Sequence, residues 1–134
     1  MHKLQVLQNS VLRLLLERPR ETPLAILLHE SKQMSVHQLV AYHIATQTFK
    51  VYLNREPLYH YNRLFNGRRS QRTRMADSLE VRVDFRLSLG RQSFFYKAAH
   101  LWNALPYQLK IAQSLDVFKR GLKLWIKENI SQRP

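Results

Sequence analysis

The sequence contains no cysteine. Disulfides, thiolate catalysis and every Cys-containing zinc site are therefore excluded, a zinc knuckle among them. Their absence fits an intracellular protein of the nucleus or cytoplasm. Long apolar runs are missing as well. The longest, at 14–16 and 24–28, fall far short of the roughly 20 residues that span a bilayer, so no membrane partner is expected. His29, His37, His43, His60 and His100 do not form a metal set. His37 and His43 are six positions apart, on different faces of a helix, and no HExxH motif occurs. Nothing resembles a Gly-x-Ser-x-Gly nucleophile turn. The sequence therefore suggests no catalytic residue, metal ligand or cofactor.

Acidic residues are scarce. The chain has 22 Lys and Arg against 9 Asp and Glu, a formal net charge of +13 over 134 residues. Such a surplus repels itself in a compact state, and a polyanion relieves the repulsion. Nucleic acid is the commonest polyanionic partner, bound through its phosphates. Anionic lipid, an acidic protein surface and a merely solvated basic face are the competing readings.

The rest of the sequence reads as short helices. Leu4, Leu7, Val11, Leu14 and Leu15 recur at three- and four-residue steps and predict an amphipathic helix over about 3–17. This opening segment has Lys3 and Arg13 and no acid before Glu17, a form that a mitochondrial presequence also takes. Its poverty in Ser and Arg, and the lack of a break after it, argue against that. Pro19 ends the first helix. Thr22 and Pro23 mark the next start, a capping oxygen followed by a residue pre-set for the first turn, and Leu24, Leu27 and Leu28 form its buried stripe. Ser35 caps a longer helix through Val36, Leu39, Val40, His43, Ala45 and Phe49, broken at 54–57. Leu58, Tyr61, Leu64 and Phe65 make a fourth helix with an aromatic face. Period-two alternation from Leu79 through Val81, Val83, Phe85 and Leu87 to Leu89 predicts a strand that needs a pairing partner. Helical spacing returns from Ser93 to Asn103. Pro106 starts a turn of helix to Leu109. Ser114 caps the last helix, with Asp116 near its positive end and Leu115, Phe118, Leu122, Trp125 and Ile126 as its stripe. Gly121 within it costs about 1 kcal/mol of helix stability.

The fold expected is mainly α, a helical front half and a helical back half with a small β element near residues 79–89. Its divisions are a helical segment at 1–65, a basic linker at 66–78, a strand-plus-helices unit at 79–130 and a tail at 131–134.

Several of these residues fall in a familiar order. Ser93-Phe94, the run Leu101-Trp102-Asn103-Ala104-Leu105-Pro106, Leu109-Lys110, Ser114-Leu115, Phe118-Lys119 and Leu122-Lys123 follow one another at set spacings. They resemble the closing pattern of non-LTR (LINE-type, jockey-like) retrotransposon reverse transcriptases. The front half resembles the helices just after the polymerase core: Leu4-Gln5 and Leu7-Gln8-Asn9 with Arg13 behind them, Thr22-Pro23, Gln38 through Lys50, and Pro57 with Tyr59. The likeness covers nearly the whole chain. Its most specific parts are the Leu-Trp-Asn-x-Leu-Pro and Ser-Leu-x-x-Phe-Lys steps. It implies a thumb and post-thumb region that touches template RNA or the primer–template duplex. It also implies apolar faces left exposed, because the family segment rests on an upstream polymerase core. The departure is the magnesium-holding Tyr-x-Asp-Asp turn, which has no counterpart here. Asp77, Asp84 and Asp116 are scattered, and no two aspartates adjoin. The expected activity is therefore binding without polymer chemistry. The sequence leaves open whether Met1 is a genuine start, the start of a domesticated fragment, or a frame inside a decayed element.

The candidate contacts to RNA or DNA phosphates are, first, Arg63, Arg68, Arg69, Arg72 and Arg74, a run with no acid between Glu56 and Asp77. Each guanidinium is a planar fork that matches phosphate oxygens, and an unpartnered solvated loop is the alternative. Second are Arg82, Arg86, Arg91 and Lys97. Arg82 and Arg86 would share a strand face with Glu80 and Asp84, so cross-strand pairing is an equal reading there. Tyr59, Tyr61, Phe65, Phe95 and Tyr96 have spacings that suit a core first and base stacking second; Trp102 and Pro106 read as packing residues. The partners expected are a nucleic-acid backbone or, in a second reading, another protein or the missing polymerase core, met through exposed helix faces.

Overall fold

The computed structural model describes residues 2–65, 90 and 93–130. The basic linker at 66–78, the strand expected at 79–89 and the tail at 131–134 lie outside them. The fold is mainly α. The described residues form seven helices of known bounds: α1 (His2–Leu15), α2 (Leu24–Ser31), α3 (Val36–Asn54), α4 (Leu58–Phe65), α5 (Phe94–Ala104), α6 (Tyr107–Lys110) and α7 (Leu115–Asn129). None of them is long and apolar enough to cross a membrane. The chain divides into two compact units, Met1–Tyr42 with Lys123–Pro134, and His43–Leu122.

In the first unit, Leu12 of α1 packs with Leu27 and Leu28 of α2, and Leu16 and Leu24 close the cluster. Leu16 N–H still bonds to Leu12, after which the chain leaves the helix through a left-handed residue, Glu17 at φ 51°. Glu17 N–H bonds to Leu14 O and Arg18 N–H to Arg13 O, the paired closure that satisfies the last carbonyls of a helix. Arg13 donates to Thr22 O at 3.2 Å, and Arg18 grips Glu30 with two bonds of 3.0 and 2.6 Å. Thr22 does not cap α2. Pro23 itself, extended at ψ 147°, occupies the capping position without a side-chain bond, and its carbonyl accepts from Ile26 and Leu27. A proline favours extended backbone in the residue before it, and here the extended stretch includes Pro23, so the helix starts one residue later than expected.

Ser35 does cap α3, and with a partner. Its Oγ accepts from Gln38 N–H at 3.3 Å, while Gln38 Oε1 accepts from Ser35 N–H at 3.2 Å. This is the reciprocal capping box, and both side chains are buried. A glutamine relay extends it. Gln5 Oε1 accepts from Val36 N–H at 3.0 Å, and Gln5 Nε2 donates to Gln8 and Asn9. Gln8 donates to Met34 O, and Gln38 Nε2 donates to Ile130 O at 2.9 Å. Amides from α1 and α3 thus satisfy backbone groups at the start of α3 and just past the end of α7.

The second unit is built on aromatic packing. Phe49 and Phe118 stack with centroids 4.1 Å apart, and Tyr52 leans on Phe49, Phe65 and Trp102. Trp102 meets Phe65 edge to face at 5.5 Å and is fully buried. Ala98 and Ala99, also buried, let α5 approach closely. Ser93 caps α5 by accepting from Tyr96 N–H. Pro106 precedes α6, and Ser114 Oγ accepts from Val117 N–H at the start of α7. Phe118 and Leu122 are fully buried in this unit, and so is Ile126 in the other; Leu115 and Trp125 are half-buried. Gly121 has a packing reason: a Cβ there would press into Leu109 Cδ2 of α6.

Candidate nucleic-acid interface

Of the nine basic residues expected to meet phosphate, the described residues include Arg63 and Lys97. Arg68, Arg69, Arg72, Arg74, Arg82, Arg86 and Arg91 fall outside them.

Arg63 lies on the exposed side of α4, three positions before the run that begins at 66. One turn earlier on the same face is Tyr59, and Arg63 Nη1 donates to its hydroxyl at 3.2 Å. The guanidinium carbon sits 4.6 Å from the centroid of Phe95 on α5. Tyr59 and His60 both meet Phe95 at 80°, with centroids at 6.0 and 5.2 Å, and Phe94 adds another edge-to-face contact at 5.7 Å. The result is a cation whose face is laid against a ring and whose edge is engaged by a phenol. Tyr59 is 62% exposed and Phe95 half-buried. The position is set by sequence spacing: Tyr59 and Arg63 are i and i+4 on α4, and Ser93 fixes where α5 begins and hence where Phe95 points.

Lys97 is exposed on α5. It stands two positions after Phe95 and therefore on a side of the helix turned well away from that ring. Arg63 and Lys97 occupy neighbouring helices but do not form one cluster around Phe95. Tyr96, a stacking candidate, spends a face on His100, with centroids 4.3 Å apart. Tyr61 and Phe65 face one another at 5.5 Å, and Phe65 belongs to the Trp102 cluster. The core reading therefore holds for Phe65, while Tyr59 has the open side chain.

Two further features were not among the sequence candidates. Lys110 is 4% exposed, with its ammonium 5.9 Å from the Trp102 ring; no spacing rule singles out a buried lysine. Arg55, left-handed at φ 57° just past α3, lies 5.7 Å over Tyr61. Its place follows from the tight exit before Pro57. No group of three His, Asp or Glu side chains among the described residues is arranged to hold a metal ion.

Comparison with family models, with curated proteins and with solved structures gave no match.

Proposed function

We propose that the chain is a non-catalytic piece of a non-LTR retrotransposon reverse transcriptase that binds RNA, or a primer–template duplex, through the phosphate backbone. The observation that carries this reading is the charge: 22 basic against 9 acidic residues, with an acid-free run from Arg63 to Arg74. The Tyr59–Arg63–Phe95 cluster supports it by giving that run an ordered first cation. The order of Ser-Phe, Leu-Trp-Asn-x-Leu-Pro and Ser-Leu-x-x-Phe-Lys steps supports the family, and the lack of paired aspartates supports binding without polymer synthesis. No base-reading arrangement is proposed. The compartment that fits is intracellular, nucleus or cytoplasm.

Fluorescence-anisotropy titration with RNA at two salt concentrations tests it. Affinity is expected to fall with salt, with a logarithmic slope near −3 to −4 if about four phosphates are neutralised. Replacing Arg68, Arg69, Arg72 and Arg74 together by Ala should weaken binding for all sequences alike and flatten the slope. Indifference to polyanions in dilute buffer would overturn the proposal, and an unchanged slope in the variant would remove the arginine run from it.

A second reading, pairing with another protein through an exposed helix face, is favoured by one observation. The apolar stripe of α1 (Leu4, Leu7, Val11, Leu14 and Leu15) stands in solvent at 47–80% exposure.

A further inference from the structure

Tyr59 differs from the other aromatic side chains of α4 and α5 in how little of its ring is engaged. Tyr61 has the Arg55 guanidinium at 5.7 Å and Phe65 at 5.5 Å. Phe65 belongs to the Trp102 cluster, and Tyr96 packs on His100 at 4.3 Å. Phe95 takes the Arg63 guanidinium. Tyr59 is 62% exposed. It meets Phe95 almost at right angles, at 80°. A perpendicular pair joins one ring's edge to the other's face, so this contact covers at most one face of Tyr59. His60, its chain neighbour, stands at 56° with centroids 6.0 Å apart, too oblique to stack. One face of the Tyr59 ring is therefore open to solvent.

The open ring is also held in place. Its hydroxyl accepts from Arg63 Nη1 at 3.2 Å. Phe95 supports it from α5, whose start is fixed by the Ser93 cap. A ring already fixed loses little freedom when a ligand lies on it.

We propose that this face of Tyr59 stacks on an unpaired nucleobase, and so adds affinity for a single strand that a duplex cannot use. Tyr59 takes this role only if the phosphate-binding reading above holds, and it narrows the ligand of that site. Charge selects the occupant. The phenol is hydrogen-bonded to a cation, and the acid-free run of arginines to Arg74 follows in the sequence. A strand drawn to those cations carries a base beside every phosphate. An unpaired base offers its π-face whatever its identity, whereas the bases of a duplex are stacked on one another. An apolar protein surface fits less well. To cover the ring it would have to take the Arg63 charge out of water without supplying an anion. A nucleotide brings the flat face and the negative charge together.

Fluorescence anisotropy on the whole chain tests this, with an unstructured RNA strand and a blunt RNA duplex of equal phosphate count. Tyr59→Ala should weaken strand binding about ten-fold and leave duplex binding as in the parent. Its salt slope should not change, because no charge is lost, whereas Arg63→Ala should flatten the slope by about one. Tyr59→Phe keeps the ring and should bind the strand like the parent. Tyr59→Leu, which keeps apolar bulk against Phe95, should lose as much as Tyr59→Ala. Tyr107, 52% exposed on α6, is the control, and Tyr107→Ala should alter neither ligand. Circular dichroism should be unchanged throughout, since both tyrosines stand in solvent. A strand carrying 2-aminopurine should lose fluorescence on binding the parent or Tyr59→Phe, but not Tyr59→Leu.

Equal losses for strand and duplex with Tyr59→Ala, or no loss for either, overturn the stacking and leave phosphate binding in place. A Tyr59→Phe chain as weak as Tyr59→Ala would assign the effect to the hydroxyl's hold on Arg63 and overturn it too. Unquenched 2-aminopurine with the parent has the same meaning. A parent that binds neither ligand in dilute buffer overturns the phosphate reading, and the stacking with it.

Discussion

Gln5 shows how a polar side chain comes to be buried on an amphipathic helix. Its amide meets Val36 N–H, Gln8 and Asn9 together, so little hydrogen-bonding capacity is left unmet in a site that is 8% exposed. The buried amide orients α1: Gln5 and Leu12 turn inward, and the leucine-rich stripe turns out. Gln5→Ala would leave Val36 N–H, one of the donors that an α-helix cannot satisfy within itself, without its acceptor. The expected loss is about 1–3 kcal/mol of unfolding free energy, measured by urea denaturation. An unaltered midpoint would show that water replaces the amide at no cost. The Gln5, Gln8 and Gln38 positions that carried part of the family resemblance thus have a structural use in this chain, joining a helix face to helix ends.

Capping and periodicity made most elements legible in the sequence. Ser35, Ser93 and Ser114 each accept a backbone N–H at the start of their helices, because local chemistry at those positions decides the matter. Thr22 failed as a cap for a local reason too, since the extended stretch continued through Pro23. Gly121 was legible only as a cost. Its reason lies in Leu109, twelve residues earlier, whose side chain fills the space a Cβ would take. Gly121→Ala gains helix propensity of about 1 kcal/mol and displaces the end of the Leu109 side chain, which offsets part of that gain. The substitution is expected to stabilise a Leu109→Ala chain more than it stabilises the parent. Thermal unfolding of the four variants gives the cycle, and an equal change in both backgrounds would show that the two side chains do not compete.

At the scale of the whole molecule, 22 basic residues stand against 9 acidic ones. The Arg18–Glu30 pair is 49% and 30% exposed, and pairs of that kind contribute little and are screened by salt. Repulsion among the surplus cations is screened too, and it acts over the whole surface. Raising salt from dilute to moderate is therefore expected to raise the unfolding temperature, by roughly 4 °C for each kcal/mol of relief. A falling temperature would mean that specific ion pairs, not surplus charge, dominate the electrostatics.

The surplus of positive charge and the helical class were legible in the sequence, since net charge and hydrophobic period are properties of the chain whatever its fold. The arginine run was equally plain from its residues alone. Folding settled which side of each helix met a neighbour: Arg63 against Phe95 and Tyr59, Phe49 against Phe118, Gln5 rather than Leu4 on the inner side of α1. Those outcomes depend on which helix lies alongside which, and period 3.6 marks an apolar side without naming its partner.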